Sequence, residues 1–485
     1  MTEILWTATE VAIATSGELV GNNTWKATGF AMDSREVKHG DLFIALKPDT
    51  EADKYRTSGQ DGHDFVQAAK DNGAIAAIVS RKVDVDIPQV VVSDTFEAME
   101  DMGQAARHRA PLQKVIGITG SVGKTGVRDM MHGVFKAQGL RTHASIKSYN
   151  NAIGVPYTLA TMRAATDIGV FEVGMNYAGE ITPLSKQVAP DIAVITWIAA
   201  VHIENFDDGI EGIIKAKSEI FEGMTSDGVA VLPRDNDYYL KLVANAKTAG
   251  LSKIYSFGEH AEADARLIDC LLASNGTRVK ADIMGEDVEY TLPIAGKHIV
   301  INSLSSLLCV KISNGNVQKA ARALEKIEPI EGRGKRELID SGEADNPITL
   351  IDESYNASPV AMNAAFKVMA MVDPGRGGRR IAVLGDMLEL GARARSDHEN
   401  LAMPLQAAGV DLLYCCGQNM RALYDKMPPA NQGAHRNTSA ELAEIVPDAL
   451  VPGDVVLVKG SLGSKMKTIV EAMRALPDRK NKNAL

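Results

Sequence analysis

Short apolar runs alternate with helix-period stretches along nearly the whole chain. Residues 41–46 (Asp-Leu-Phe-Ile-Ala-Leu), after the Gly40 turn, predict a strand; 65–72 predict a helix and 74–79 a second strand. At 112–118 (Leu-Gln-Lys-Val-Ile-Gly-Ile) a new pattern begins, with a strand, a glycine-rich loop and a helix. Apolar strands follow at 168–173, 192–198 and 228–232, with helical segments between them, 211–221 included. Strands that alternate with helices imply an α/β fold with mostly parallel sheet. Residues 250–295 break the rhythm. They alternate polar and apolar positions (Thr277-Arg278-Val279-Lys280-Ala281) around turn signals at Asn275-Gly276 and Gly285-Glu286, which predicts an antiparallel excursion. A helix-rich piece, 302–327, leads to a linker-like stretch at 328–334. A third α/β pattern then runs to the end, with strands at 348–352, 380–384, 412–416 and 455–458.

At 485 residues the chain is long for one core, and roughly 150 residues per domain suggests about three. The pattern breaks place them at 1–110, 111–328 and 329–485. A hydrophobic fraction of 45% with 24% charged residues excludes a mostly disordered or collagen-like chain. Against 52 Lys+Arg stand 62 Asp+Glu, a net charge of −10, so nucleic-acid binding is not expected. Anionic ligands must be held by local cations, metals or helix N-termini. The cysteines, Cys270, Cys309, Cys415 and Cys416, lack metal spacing and are too few for a disulfide framework, which suits a reducing compartment. The start of the chain lacks the basic region of a signal peptide, and the longest apolar stretch, about ten residues at 192–201, is too short to cross a bilayer. A cytoplasmic location without membrane insertion is expected.

Residues 117–125, Gly-Ile-Thr-Gly-Ser-Val-Gly-Lys-Thr, carry the strongest chemical signal. A strict Gly-x4-Gly-Lys-Thr pattern would need glycine at position 118, which is Ile118. Gly120 and Gly123 still let backbone N–H groups, that of Ser121 among them, wrap phosphate oxygens. Lys124 reaches the terminal phosphates, and the Thr125 hydroxyl is placed to ligate Mg²⁺. Glu172 and His202 both lie at carboxyl ends of apolar strands, where α/β sheets present ligand-facing groups. From position alone, Glu172 reads equally well as a helix cap and His202 as a satisfied loop histidine. Lys217, in Ala216-Lys217-Ser218-Glu219, reads by itself as a solvated helix lysine.

Together these residues resemble the Mur ligase family, ATP-dependent amide ligases of peptidoglycan synthesis. The resemblance runs nearly the length of the chain, through 117–125, Glu172, His202, Lys217, Asn302, Gly332-Arg333 and Asp352. It implies a small N-terminal α/β domain for a nucleotide sugar, a central P-loop ATPase-type domain and a Rossmann-like C-terminal domain. It also implies that Lys217 is carbamylated and, with His202 and Glu172, holds a second Mg²⁺, the first resting on Thr125 and Glu172. Three C-terminal stretches, Asp352-Glu353-Ser354-Tyr355-Asn356-Ala357-Ser358-Pro359, Gly385-Asp386-Met387-Leu388-Glu389-Leu390-Gly391 with His398, and Lys459-Gly460-Ser461, are similar to the branch that takes D-alanyl-D-alanine. Ser34-Arg35 and 61–65 match its UDP-sugar domain. Ser358 stands where that branch usually has Asn, Ile299 where many members have Asn, and Lys147-Ser148 where Gly-Asn is common.

The resemblance implies two small-molecule substrates besides ATP, a UDP-N-acetylmuramoyl tripeptide and D-alanyl-D-alanine; a monomer is expected. ATP would meet Gly120, Ser121, Gly123, Lys124, Thr125, Asn302, Arg333 and, through its ribose, Asp352. The other substrates would meet Ser34, Arg35, His63, Asn150, Asn151, Tyr355 and Asn356. Two alternatives remain: another amide ligase of the superfamily, folylpolyglutamate synthetase-like, or a non-catalytic nucleotide-binding regulator.

Overall fold

The computed structural model describes residues 3–48, 59–273, 276–329 and 331–477. The expected turn at Asn275, linker residue Ile330 and the tail beyond 477 lie outside the described residues.

Three large sheets carry the chain, joined in sequence by helices, and a further two-stranded antiparallel pair joins Trp6–Thr7 to Lys26–Ala27. Strands Glu18–Val20, Gln89–Val91, Ala76–Val79, Asp41–Ile44 and Gly29–Ala31 form the first, in that spatial order, parallel except for the first pair. The second has nine strands. At its heart Lys114–Thr119 lies between Ile168–Glu172 and Ile192–Ile195, all parallel. Their residues are almost wholly buried, so they read as continuous apolar runs, as strands covered on both faces do. Beyond Val229–Pro233 and Lys253–Gly258 the sheet continues through Ala265–Ala273 into antiparallel Gly276–Ile283 and Glu286–Leu292. Buried and exposed positions alternate along the last of these, which is the period-two pattern legible in the sequence. The third sheet sets one antiparallel edge strand, Lys335–Ile339, beside five parallel ones: Ile348–Glu353, Val455–Lys459, Arg380–Gly385, Leu412–Cys416 and Gln432–Arg436.

One apolar cluster runs from Leu5 and Trp6 through Met99 and Met102 to Phe171, Phe221 and Leu242, so the first sheet's core is continuous with one face of the second. The other face is packed by helices Lys124–Ala137 and Lys297–Ile312. The third sheet has separate cores on its two faces. Several elements differ from their expected bounds. The 211–221 helix is Ile210–Ser218 followed by a 3₁₀ turn at Glu219–Gly223. The 302–327 piece begins at Lys297, which puts His298 and Ile299 inside the first turn of a helix. No helix of the described residues is long and apolar enough to cross a membrane.

Register fixes what comes next. Glu172 pairs with Ile118 and Ile195 with Thr119, so the ends of three parallel strands converge on the glycine-rich loop. The chain leaves Lys114–Thr119 toward one side and later returns to its other side, which opens a crevice at the carboxyl ends.

Candidate active site

The loop from Gly120 to Gly123 is fastened at both ends. Ser121 Oγ donates to the Ala199 carbonyl at 2.9 Å and accepts from the Ala199 N–H at 3.0 Å; Ser121 N–H donates to Trp197 at 2.7 Å. Thr196 Oγ1 donates to the Val122 carbonyl at 2.6 Å. Gly123 has φ +88°, and a Cβ there would lie 2.7 Å from Asn302 Nδ2, so no larger residue fits without displacement. Helix Lys124–Ala137 starts directly after it and points its free N–H groups at the crevice. Lys124 folds back to donate from Nζ to the Gly120 carbonyl at 2.7 Å. Burial pushes its ammonium below the usual lysine range; the carboxylate of Glu172 opposes this and the charge of Arg333 adds to it.

Glu172 is only 1% exposed. Its Oε2 accepts from Thr125 Oγ1 at 3.0 Å and its Oε1 from Asn150 Nδ2 at 2.7 Å, while its own N–H donates to Ser145 Oγ at 2.9 Å. A hydroxyl and a carboxylate oxygen side by side next to a phosphate loop form the hard, oxygen-only donor set that suits Mg²⁺. The residues present therefore fit one such ion. Of the expected second set, Glu172 and His202 line the same cavity and Lys217 is buried. His202 Nδ1 sits against the Glu389 carboxylate, which that contact holds below the usual range. Among the described residues no group of three or more His, Cys, Asp and Glu side chains is placed to hold a metal.

Lys217 is only 2% exposed. It is therefore not the solvated helix lysine its position suggests. Burial, and then the charge of Lys124, push it well below the ordinary lysine range, against the pull of Glu219. Glu219 itself accepts from the N–H groups of Gly179, Ile181 and Thr182, closing the start of helix Ile181–Val188.

A cavity of about 1030 Å³ joins this machinery to the C-terminal sheet. It is lined by Ser121 to Thr125, Asn150, Asn151, Glu172, His202, Asn302, Arg333, Tyr355 and Asn356, so most of the predicted positions meet in one space. Arg333 stacks on Tyr355, 4.2 Å from the ring centroid, and donates to Ser148 Oγ at 3.3 Å. Asn151 Oδ1 also accepts from the Gly154 N–H, opening helix Gly154–Ala160. Ser358, the unusual residue of its motif, N-caps helix Pro359–Ala370, a task Ser and Asn perform equally well.

The remaining expected residues lie apart from this cavity. Asp352 is 1% exposed and does not line the cavity. Its Oδ2 accepts from Gly332 N–H at 3.0 Å and its Oδ1 from Ser354 N–H and Oγ at 3.1 and 2.6 Å, so it pins the linker rather than facing a ribose. His63 is buried with both ring nitrogens engaged: Nδ1 lies 2.6 Å from Asp61 Oδ1, and Nε2 accepts from Ser80 N–H at 2.8 Å. That leaves nothing to offer a ligand, and burial lowers its pKa. Arg35 is exposed and bound by a two-point fork to Asp33; with Ser34 it lies outside the cavity. Sequence reasoning assigned no role to Lys459, which lines the cavity and donates from Nζ to Glu353 Oε2 at 3.1 Å and to the Asn356 carbonyl at 2.9 Å. Its place in the Lys-Gly-Ser stretch at a strand end was the available signal.

Comparison with known proteins gives one family. Residues 118–310 match the Mur ligase middle domain and 337–462 the Mur ligase, glutamate ligase domain. The UDP-N-acetylmuramoyl-tripeptide–D-alanyl-D-alanine ligase of Rickettsia prowazekii is 31% identical over 470 residues, 96% of this chain and 99% of that protein. The ligase of the same name from Escherichia coli is 32% identical over 95% of this chain and 96% of its own length. A crystal structure of MurF from Acinetobacter baumannii superposes with a TM-score of 0.80 at 29% identity, covering 97% of this chain and 98% of that one.

Proposed function

The chain belongs to the Mur ligase family, and from that premise we infer that it joins D-alanyl-D-alanine to a UDP-N-acetylmuramoyl tripeptide. The reaction is an ATP-dependent ligation that forms a C–N bond in peptidoglycan precursor synthesis. The observation that carries this reading is the single cavity in which the phosphate loop, Glu172 and the Tyr355-Asn356 stretch face one another. Full-length similarity to two ligases of that name supports it and leaves the folylpolyglutamate alternative unsupported.

The tripeptide carboxylate and the γ-phosphate of ATP are both anions, so their approach must be screened. Lys124 and Arg333 are the nearby cations, and the N–H groups of residues 121–125 face the phosphates. Thr125 and Glu172 would hold a Mg²⁺, which would supply charge neutralisation there. The carboxylate oxygen attacks the γ-phosphorus in line; the bond to the ADP oxygen breaks and an acyl phosphate forms. The amine of D-alanyl-D-alanine then attacks the acyl carbon. It loses a proton as phosphate departs, leaving the amide. Asn150 fixes the Glu172 carboxylate for this, and Tyr355 holds the Arg333 guanidinium flat against its ring.

The finer assignments are supported as follows. A division at 1–110, 111–328 and 329–485 agrees with three large sheets whose strands fall within those spans. Carbamylation of Lys217 is supported by its burial and lowered pKa, because the neutral amine is the form that adds CO₂. Function as a cytoplasmic monomer accords with substrates that are small molecules.

Phosphate release measured with ATP and the UDP-tripeptide, with and without D-alanyl-D-alanine, tests the main reading. Release is expected only with both substrates; none with both refutes the ligase and favours a regulator. Lys217→Ala is expected to lose activity and regain part of it with an added short-chain carboxylic acid. Near-wild-type activity in that variant removes the carbamate.

A further inference from the structure

Residues 147–151 touch three parts of the molecule in five consecutive positions. Lys147 Nζ lies 2.5 Å from Oε1 of Glu36, the residue after Ser34 and Arg35. Ser148 Oγ accepts from Arg333, which follows the Asp352-pinned Gly332. Tyr149 packs edge-on against Tyr157 at 5.7 Å, and the Tyr157 hydroxyl donates to the Phe30 carbonyl at 2.9 Å. Asn150 donates to Glu172. The backbone at the head of this segment is unusual: Lys147 has φ +51°, a left-handed conformation lysine rarely adopts. Such a residue persists only where its surroundings hold it. Here the buried Arg128 guanidinium grips the Lys147 carbonyl while Glu36 takes its ammonium.

We propose that residues 147–151 form a crossbar that keeps the Ser34–Glu36 turn and Arg333 in register with Glu172, with Lys147 and Ser148 as the positioning residues at its two ends. This rests on the ligase reading above. The Lys147–Glu36 pair is 57% and 52% exposed, and exposed ion pairs add little to stability. Its consequence is therefore the placement of the turn that precedes it, not the folding of the chain. The Ser148 hydroxyl acts at the other end, steering a guanidinium that already stacks on Tyr355. Because the two ends touch different domains, damage to each has a different kinetic signature.

The test is steady-state kinetics on the full chain with Lys147→Gly, Glu36→Gln, Ser148→Ala and the charge exchange Lys147→Glu with Glu36→Lys. Lys147→Gly and Glu36→Gln are expected to raise KM for the UDP-tripeptide about two- to fivefold, the range an exposed pair controls, with KM for ATP unmoved. Ser148→Ala is expected to raise KM for ATP and leave that for the tripeptide. The charge exchange is expected to bring the tripeptide KM back toward wild type, and thermal midpoints are expected to stay together. An exchange that restores nothing, or variants that shift both KM values alike, overturns the crossbar. Wild-type protein that releases no phosphate overturns the ligase reading instead. The crossbar is then decided by calorimetric affinity for a UDP-sugar in the same variants, with equal affinities refuting it.

Discussion

Asp352→Asn separates two roles that the end of strand Ile348–Glu353 permits. The carboxylate accepts from Gly332 through one oxygen and from Ser354 twice through the other. An amide keeps only one of those oxygens. Turned toward Ser354, it sets an NH₂ against the Gly332 N–H; turned toward Gly332, it orphans the Ser354 donors. A buried donor left unsatisfied costs about 1–3 kcal/mol, which is about 5- to 150-fold in the local opening equilibrium. Gly332 has few alternatives, since its φ is +75° and a Cβ there would lie 3.0 Å from Tyr355 Cβ. Hydrogen exchange followed by mass spectrometry on peptides spanning 331–336 measures that opening directly. The expected result is faster exchange by that factor, with KM for ATP rising only as far as a loosened Arg333 allows. Unchanged exchange around Gly332 together with a tenfold or larger rise in KM for ATP would show that the carboxylate serves the nucleotide, refuting the linker-pin assignment.

Two further outcomes are expected. Gly123→Ala forces a side chain into a left-handed position against Asn302, at about 1–2 kcal/mol of strain, so ATP affinity by titration calorimetry should fall about tenfold or more; unaltered affinity would show that the loop yields. His143 lies against Phe171 and donates from Nε2 to the Thr158 carbonyl, and burial pushes its pKa down to about 4. Because the folded pKa lies below the unfolded value of about 6.5, its contribution is full above about pH 6.5 and is lost as pH falls toward 4. Denaturant midpoints at pH 7.5 and 5.0 should converge in His143→Gln, and an undiminished pH dependence in that variant would assign the effect elsewhere.

What the sequence made legible follows from how each signal arises. The buried parallel strands were readable because both faces are covered, so nearly every residue is apolar. Edge strands Lys335–Ile339 and Gln432–Arg436 were not, because their exposed positions carry polar residues that look like loop. The phosphate loop was legible because its glycines answer local backbone needs. Asp352, His63 and Lys217 were not, because a polar residue type at a strand end or helix says nothing about which partner reaches it first. Asp352 is claimed by the linker and His63 by Asp61 and Ser80, contacts made by residues brought near only through folding. Lys217 is isolated by burial that its helix period alone does not reveal.

The partners of the cavity's cations also sort them by role. A net charge of −10 leaves no bulk attraction for anions, so each cation must be placed and also kept tolerable while the site is free. Lys124 rests on a backbone carbonyl, and Arg333 on a hydroxyl and an aromatic face. These partners are neutral, and an arriving phosphate competes with them at little cost, because a charge-assisted bond is roughly twice as strong as a neutral one. Lys459 is different: it is buried and already neutralised by the Glu353 carboxylate. Drawing it onto a phosphate would strand that carboxylate beside an anion. Under the proposed function Lys124 and Arg333 would be the groups offered to ATP, while Lys459 holds Glu353 and the Asn356 carbonyl in the cavity wall.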